Sequence, residues 1–217
     1  GWVKISISGP RGTQVKLRYS ELINKDGSLK TATIRKAEAT DTYILKGDGK
    51  ETYEPRFTYH GFRYVEVTGL PFVPTIENIE GCFVHTDVAK TGEFYCSNEL
   101  INKIHENILW GQLSNLHSIP TDCPQRDERF GWMGDAHLSA EEAMYNFDMN
   151  LFYENYLREI QLSQKEDGSI PDVVPAYIKI YPSDPAWGSA YITIAWYLYK
   201  YYKNERVLLE HWESMKK

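Results

Sequence analysis

The chain has 217 residues and a mass of 25.2 kDa, which allows one large domain or two small ones. Lys and Arg total 24 against 30 Asp and Glu, so the formal net charge is -6 and the sequence pI is about 5.6. This balance excludes the basic footprint of a nucleic-acid-binding protein. The longest apolar run, Ala190 to Tyr199, is too short for the roughly 20 residues of a membrane-spanning helix.

Both ends of the sequence look cut. Gly1 already stands in a strand-like alternation, with no initiator Met and no signal-peptide core, and Lys217 lies within a helical pattern. We therefore expect the chain to be a piece of a longer protein. Because the true N-terminus would be absent from such a piece, the sequence predicts no localisation.

The first 70 residues follow the two-residue period of β-strands. Turn-forming residues stand between the apolar alternations, at positions 9–12, 25–27 and 47–49. The predicted strands cover residues 3–7, 15–19, 52–57, 62–67 and 82–88. Short strands at this spacing are typical of an antiparallel β-sandwich.

After Gly92 the apolar period becomes that of an α-helix. Ser97 or Asn98 is the predicted N-cap of the first helix, and Asn204 that of the last. The apolar positions are Leu100, Ile101, Ile104, Ile108 and Leu109, then Ala140, Ala143, Met144 and Phe147, then Tyr153, Tyr156, Leu157 and Ile160, then Tyr191 to Tyr202, and last Val207, Leu208 and Trp212. The fourth segment is apolar nearly all round, which predicts a helix buried on several sides.

Strands followed by helices, without alternation, predict two segregated domains, residues 1–92 and 93–217. The fold class is therefore a multidomain chain, β then α. The connection at residues 168–188 contains four prolines and exceeds the roughly 12 to 15 residues usual for a structureless loop, so we expect it to be functional. It also holds Asp172 and Asp184, and nothing in the sequence decides whether they face a pocket.

Residues 121–136, TDCPQRDERFGWMGDA, concentrate four carboxylates, two arginines, a tryptophan and two glycines between two predicted helices. Charge runs are mostly solvated, so one interpretation is an exposed, capping-rich loop in which Asp135 is an ordinary N-cap. That interpretation does not account for Gly131 and Gly134 on either side of Trp132. Glycines let the backbone approach another group closely, which is typical of a binding loop.

The same residue types suit a sugar ligand. Carboxylates and arginine forks hold hydroxyl groups through charge-assisted hydrogen bonds, and tryptophan packs against the apolar face of a sugar ring. A carboxyl among like-charged neighbours stays protonated more readily and can serve as a general acid. Glu128 is the candidate acid, and Asp122, Asp127 and Asp135 are the candidate neighbours.

The sixteen-residue motif resembles the signature of the bacterial α-L-rhamnosidases of glycoside hydrolase family 78. EPRFTYHGFRYVEVTGL, residues 54–70, is similar to the end of the sandwich before their catalytic domain. GEFYCSNELINKIHENILWGQLSNLHSIP, residues 92–120, is similar to the first helix of their six-hairpin toroid. The resemblance covers nearly the whole chain and implies a β-sandwich segment followed by the first helices of an incomplete (α/α)6 toroid.

The resemblance also implies roles for charged residues of the motif. Glu128 matches the general acid, which protonates the glycosidic oxygen of the leaving group. Asp122, Arg126 and Asp135 match residues that hold the rhamnose hydroxyls.

Aromatic residues complete the pocket that the resemblance implies. Trp132 is similar to an aromatic that packs against the apolar side of the sugar, and Trp187 resembles a second aromatic of the same pocket. Met133 stands where a threonine is common, which would alter the pocket wall. The tyrosine-rich segment 191–202 is interpreted as core, because helical aromatic stripes mostly pack.

The family is inverting, so a second carboxylate would activate a water molecule on the opposite face of the sugar. No region of this sequence resembles the surroundings of that second Glu. The leading hypothesis is therefore a fragment of an inverting exo-α-L-rhamnosidase that acts on terminal rhamnose of glycosides or polysaccharides, carries the general acid, lacks the general base and is inactive alone. The alternatives are a non-catalytic rhamnose-binding or structural module, and a related α-toroid glycosidase specific for another sugar.

The sequence predicts no cofactor and no metal. Cys82, Cys96 and Cys123 form no CxxC pair, which favours free thiols, and none of the six histidines stands in metal-ligand spacing. Carbohydrate is the expected partner, without nucleic acid or membrane. The apolar helix faces of an incomplete toroid also predict self-association.

Overall fold

The structure is a computed structural model that describes residues 1–217. The chain divides into two compact units. The β unit comprises Gly1–Val84 together with Cys123–Arg129, and the helical unit comprises His85–Asp122 together with Phe130–Lys217. The domain bounds derived from the sequence, residues 1–92 and 93–217, stay a prediction.

Six strands form the main sheets of the β unit: β1 (Trp2–Ser8), β2 (Gln14–Ser20), β3 (Thr40–Ile44), β4 (Lys50–Tyr53), β5 (Tyr64–Thr68) and β6 (Ile79–Cys82). They make two antiparallel sheets of three strands, ordered β4-β1-β6 and β3-β2-β5. The central strands contribute the core, because their alternate residues are at most 2% exposed: Val3, Ile5, Ile7, Val15, Leu17 and Tyr19. The predicted antiparallel β class is confirmed.

Three details of the strand prediction are wrong. β4 ends at Tyr53, and the last strand covers Ile79–Cys82 in place of residues 82–88. The reason lies in the register: Cys82 pairs with Trp2, the first residue of β1, so later residues have no β1 partner. β3 was missed because its inward side chain is the charged Asp41, which breaks the apolar alternation.

Hydrogen bonds compensate the burial of Asp41. Tyr19 Oη donates to Asp41 Oδ2 at 2.7 Å, and His60 Nε2 lies 3.1 Å from both carboxylate oxygens. The His60 ring stacks on Tyr19 with 4.1 Å between centroids. Burial, followed by the hydrogen bond to Asp41, raises the pKa of Tyr19, so its hydroxyl remains a donor. His60 is thus a packing residue of the β unit.

The helical unit contains α1 (Glu99–Ser114), α2 (Met133–Asn146), α3 (Asn150–Leu162), α4 (Pro185–Gly188), α5 (Ala190–Tyr202) and α6 (Glu205–Met215). A small hairpin, β7 (Leu116–His117) with β8 (Ile119–Pro120), follows α1. Asn98 Oδ1 accepts from Leu100 N, and Asn204 Oδ1 accepts from Val207 N, so both predicted N-caps are confirmed. None of these helices has the length and hydropathy needed to cross a membrane.

The core of the helical unit lies between α2, α3 and α5. The second and third predicted apolar stripes are confirmed as buried: Ala140, Ala143, Met144, Phe147, Tyr153, Tyr156, Leu157 and Ile160. The prediction that α5 is buried on several sides is confirmed by its packing against three helices, although Ile192 and Trp196 are 58% and 52% exposed. The contacts of α5 with α2, α3 and α6 leave these two side chains at the surface.

The apolar stripe of α1 is also on the surface. Leu100, Ile101, Ile104 and Ile108 are between 41% and 68% exposed, while Leu109 is partly buried against the core. The helix itself is confirmed, but most of its apolar face has no cover within these 217 residues. Self-association through such faces stays a prediction.

Candidate active site

The motif at residues 121–136 forms a loop followed by the first turn of α2. Asp122 and Phe130 close the base of this loop: Asp122 N donates to Phe130 O at 2.9 Å, and Phe130 N donates to Asp122 Oδ1 at 2.8 Å. One oxygen of the Asp122 carboxylate is therefore used to hold the two ends of the loop together. The residues between them, Cys123–Arg129, pack as part of the β unit.

Two contacts fix this loop to the rest of the β unit. A Cβ added to Gly61 would lie 2.7 Å from the carbonyl carbon of Pro124, so the two backbones approach closely only because Gly61 has no side chain. On the other side, Arg129 Nη1 donates to Tyr59 O at 3.0 Å, and the guanidinium lies 5.2 Å from the centre of the Tyr59 ring. The loop is thus held before and after Glu128.

Glu128 accepts hydrogen bonds from two guanidinium groups. Arg126 Nε lies 2.8 Å from Glu128 Oε2, and Arg35 Nη1 lies 2.9 Å from the same oxygen. The Glu128 side chain is 17% exposed, so these bonds orient a largely buried carboxylate. Two cations, in addition to the carboxylates that the sequence predicts, are therefore charged neighbours of Glu128.

Arg35 is the residue of this site that sequence reasoning missed. It lies 93 residues before Glu128, in a segment without a recognisable motif. Spacing patterns along the chain cannot predict a contact between residues so far apart in sequence. The sequence shows only an arginine in a polar connection between predicted strands, and such arginines are common on protein surfaces.

Trp132 and Asp135 stand at the start of α2. Trp132 is the N-cap residue and makes no side-chain capping bond, whereas Asp135 is exposed in the first turn. The interpretation of Asp135 as an ordinary N-cap is therefore wrong. A negative charge in the first turn is stabilised by the helix dipole, and its exposure leaves this carboxylate accessible from solvent.

The start of α2 is paired with the proline-rich connection at residues 168–188. Met133 N donates to Asp172 O at 2.9 Å, and Val174 N donates to Gly131 O at 2.8 Å. A Cβ on Gly131 would lie 2.0 Å from Val174 O, so only glycine permits this pairing. Tyr156 Oη donates to Gly131 O at 3.0 Å, and burial raises the Tyr156 pKa, which keeps the hydroxyl protonated.

Trp187 packs on Gly134, inside the first turn of α2. A Cβ built on Gly134 would lie 2.6 to 2.8 Å from three atoms of the indole, Cε2, Cδ2 and Nε1, which places the five-membered ring flat against the glycine. Trp187 Nε1 is buried and has no hydrogen-bond partner. Close packing on Gly134 positions this tryptophan with one face covered.

The structure also shows the contacts of two aspartates that the sequence left undecided. Asp172 Oδ1 accepts from Asp184 N at 2.7 Å, and Asp184 Oδ1 accepts from Ala186 N at 2.9 Å as the N-cap of α4. Both carboxylates therefore organise the connection that carries Trp187. Met133 is 0% exposed, so it belongs to the helical core and the expectation that it alters a pocket wall is wrong.

The six candidate site residues fall into two groups. Arg126 and Glu128 are hydrogen-bonded to each other in the β unit, while Trp132, Asp135 and Trp187 lie on or against the first turn of α2 in the helical unit. Asp122 stands at the base of the loop that connects them along the chain. Carboxylates, guanidinium groups and indole rings are the side chains that recognise hydroxyl groups and sugar rings.

Comparison with known proteins defines the class and then the family. Residues 89–217 match the family model of the bacterial alpha-L-rhamnosidase 6 hairpin glycosidase domain. Residues 1–85 match that of the bacterial alpha-L-rhamnosidase concanavalin-like domain. The two matches place the chain among the glycoside hydrolases with a six-hairpin domain. It belongs to the bacterial α-L-rhamnosidase family.

Solved structures of several relatives have the same fold. The α-L-rhamnosidase from Dictyoglumus thermophilum is 64% identical with a TM-score of 0.98, over 100% of this chain and 25% of that one. The Streptomyces avermitilis enzyme, crystallised with L-rhamnose, is 45% identical with a TM-score of 0.95, over 99% of this chain and 21% of that one. The Aspergillus terreus enzyme is 39% identical with a TM-score of 0.94, and 25% of it is covered. The chain thus spans at most a quarter of the length of these relatives.

Proposed function

We propose that the full-length natural protein is an exo-α-L-rhamnosidase and that Glu128 is its general acid. The observation that carries this proposal is the fixed orientation of the Glu128 carboxylate, whose Oε2 accepts from Arg126 Nε at 2.8 Å within a loop clamped on both sides. A proton donor must be held within hydrogen-bond reach of the glycosidic oxygen, so a rigid, largely buried carboxyl suits the role. The named activity of the relatives supports rhamnose as the sugar.

The other candidate residues supply recognition in this proposal. Asp122, Arg126 and Asp135 hold rhamnose hydroxyls through charge-assisted hydrogen bonds. Trp132 and Trp187 pack against the apolar side of the sugar ring. The close packing of Trp187 on Gly134 supports its part, because a ring held in one position loses little freedom when the sugar binds.

The proposed reaction proceeds with inversion in a single displacement. Glu128 gives its proton to the glycosidic oxygen as the bond from that oxygen to the anomeric carbon breaks. A second carboxylate takes a proton from water, whose oxygen attacks the anomeric carbon from the opposite face. We place that general base outside these 217 residues, and the small share of the relatives' length that the chain spans supports this placement.

The first experiment compares the full-length protein with its Glu128→Gln variant on two α-L-rhamnosides, one with a 4-nitrophenol and one with an alcohol leaving group. The variant should lose roughly 10²- to 10⁴-fold in kcat/KM on the alkyl rhamnoside. The loss should be smaller on the aryl substrate, because nitrophenolate leaves without protonation. Glu66→Gln is the matched control, since Glu66 also pairs with an arginine at 3.0 Å in the β unit. Similar activity of Glu128→Gln and Glu66→Gln would contradict the acid assignment.

A second experiment follows the first-formed sugar by NMR. An inverting enzyme releases β-L-rhamnose from an α-L-rhamnoside before mutarotation, so early appearance of the α anomer would contradict inversion. The same preparation is then tested on α-mannosides and β-glucuronides. Faster cleavage of either would favour the related glycosidase with another sugar, and rhamnose binding without any turnover would favour the non-catalytic module.

A further inference from the structure

We infer that Arg35 is a positioning residue for the catalytic carboxylate, supplied by a connection between strands of the β unit. The inference rests on the proposed function, because it gives Arg35 its role through Glu128. Arg35 Nη1 donates to Glu128 Oε2 at 2.9 Å, beside the 2.8 Å bond from Arg126 Nε. Two donors from different parts of the chain therefore converge on one oxygen.

Convergence of two cations on one oxygen restricts the carboxylate. A single donor leaves the group free to rotate about the bond to that donor, whereas two donors in different directions hold its plane. Because Oε2 already accepts from two guanidinium groups, the proton in the proposed reaction is carried by the other oxygen of the carboxyl group. Arg35 thereby orients the acid without contacting the reacting atoms.

The backbone on both sides of Arg35 is fixed by packing and by a turn, which orients its side chain. A 3-10 helix, Thr31–Ile34, ends directly before it, and Ile34 is 6% exposed within the core of the β unit. Ala37 N donates to Ile34 O at 3.0 Å, so the chain turns at Arg35 immediately after this anchor. Arg35 itself has φ 54° and ψ -116°, a backbone region that residues other than glycine rarely adopt.

The strained conformation strengthens the inference. A non-glycine residue with positive φ persists only where the surrounding structure holds it, and such residues are concentrated at functional sites. Arg129, directly after Glu128, also has a positive φ of 58°. Arg35, which pairs with the proposed acid, and Arg129, which follows it, therefore both have a positive φ, a conformation that is unfavourable for residues other than glycine.

The experiment measures kcat and KM for the full-length protein and its Arg35→Gln variant on two α-L-rhamnosides, one with an alcohol and one with a 4-nitrophenol leaving group. We expect kcat on the alkyl rhamnoside to fall several-fold with KM unchanged, and to fall less on the aryl substrate, because nitrophenolate leaves without protonation. Arg35→Lys should recover part of the rate, because its ammonium group can donate to the same carboxylate oxygen. Arg35→Gly is the second variant: it removes the guanidinium and accepts the positive φ, so it gives the same readout should the Gln variant fail to fold.

Arg18→Gln is the matched control, because Arg18 pairs with Glu66 at 3.0 Å on the surface of the same unit. Its kcat and KM on both substrates should equal those of the unmodified protein. An equal fall on both substrates in Arg35→Gln and Arg35→Gly, or no fall on the alkyl rhamnoside, would overturn the inference and leave the acid assignment standing. Full activity of Glu128→Gln would instead overturn the proposed function, so the two failures are distinct.

Discussion

The indole of Trp187 lies flat against Gly134, the second residue of α2. No other amino acid fits there, because a Cβ on Gly134 would come within 2.6 Å of the ring. The glycine in the motif is therefore required by a tryptophan that lies 53 residues later in the chain. This relationship connects the start of α2 to the proline-rich connection and leads to the first prediction.

Replacing Gly134 by Ala should displace Trp187 and lower the activity of the full-length protein. Overpacking typically costs about 1 to 3 kcal/mol of stability, and a shift of about 1 Å in a residue that positions the substrate can cost on the order of 10²-fold in rate. The measurement is kcat/KM on an α-L-rhamnoside together with the melting temperature. The matched control is Gly111→Ala in α1, where an added Cβ meets no atom within 4 Å. Gly111→Ala should keep its activity and gain up to about 1 kcal/mol, and an equally active Gly134→Ala would contradict the role of Trp187.

Tyr156 should stabilise the pairing between the motif and the connection. Tyr156→Phe removes the 3.0 Å hydrogen bond to Gly131 O and should lower the free energy of unfolding by about 1 kcal/mol, measured by urea unfolding at submicromolar concentration. Tyr153→Phe is the control, since Tyr153 is equally buried on α3 and its hydroxyl makes no hydrogen bond. That variant should be as stable as the unmodified chain or more so, and equal losses in both would contradict the assignment.

His211 should make the helical unit less stable in mild acid. It is 2% exposed and lies 2.8 Å from Tyr191 Oη, and burial lowers its pKa below the ordinary value of 6.5. The unfolded chain therefore binds a proton more readily than the folded one, so stability is present above pH 6.5 and is lost as the pH falls from there toward the lower value of the folded state.

The measurement is the difference in unfolding free energy between about pH 7.5 and 5.5, a window above the usual titration of carboxylates. His211→Gln cannot titrate, so this difference should become smaller. A pH dependence that persists unaltered in His211→Gln would show that another group causes it.

The exposed face of α1 should make the isolated 217-residue chain self-associate at micromolar concentration. Ile104 is 49% exposed in the middle of that face, so Ile104→Glu should reduce the mass seen by light scattering. Lys103→Glu adds the same side chain at the next position, which is already polar, and should have little effect. A monomeric unmodified chain would contradict the prediction.

Much of the fold could be predicted because the spacing of apolar residues along the chain indicates which side of a strand or helix is buried. β1 and β2 appear in the sequence as strict alternation, and α2 and α3 as apolar stripes whose positions are all buried in the structure. The prediction failed where a polar residue points inward, as at Asp41 in β3. It also failed for the apolar face of α1 and for Ile192 and Trp196 of α5, because apolarity alone does not reveal which side of a helix is covered.

The motif at residues 121–136 predicted the family and the candidate acid from sequence alone, because it resembles the signature of that family. Only the tertiary structure decided which groups touch that acid. Arg35 reaches Glu128 across 93 positions, and the loop Cys123–Arg129 packs with the β unit although its neighbours in sequence do not. Periodicity and motifs describe neighbours along the chain, whereas hydrogen bonds form between neighbours in space, and folding alone brings those together.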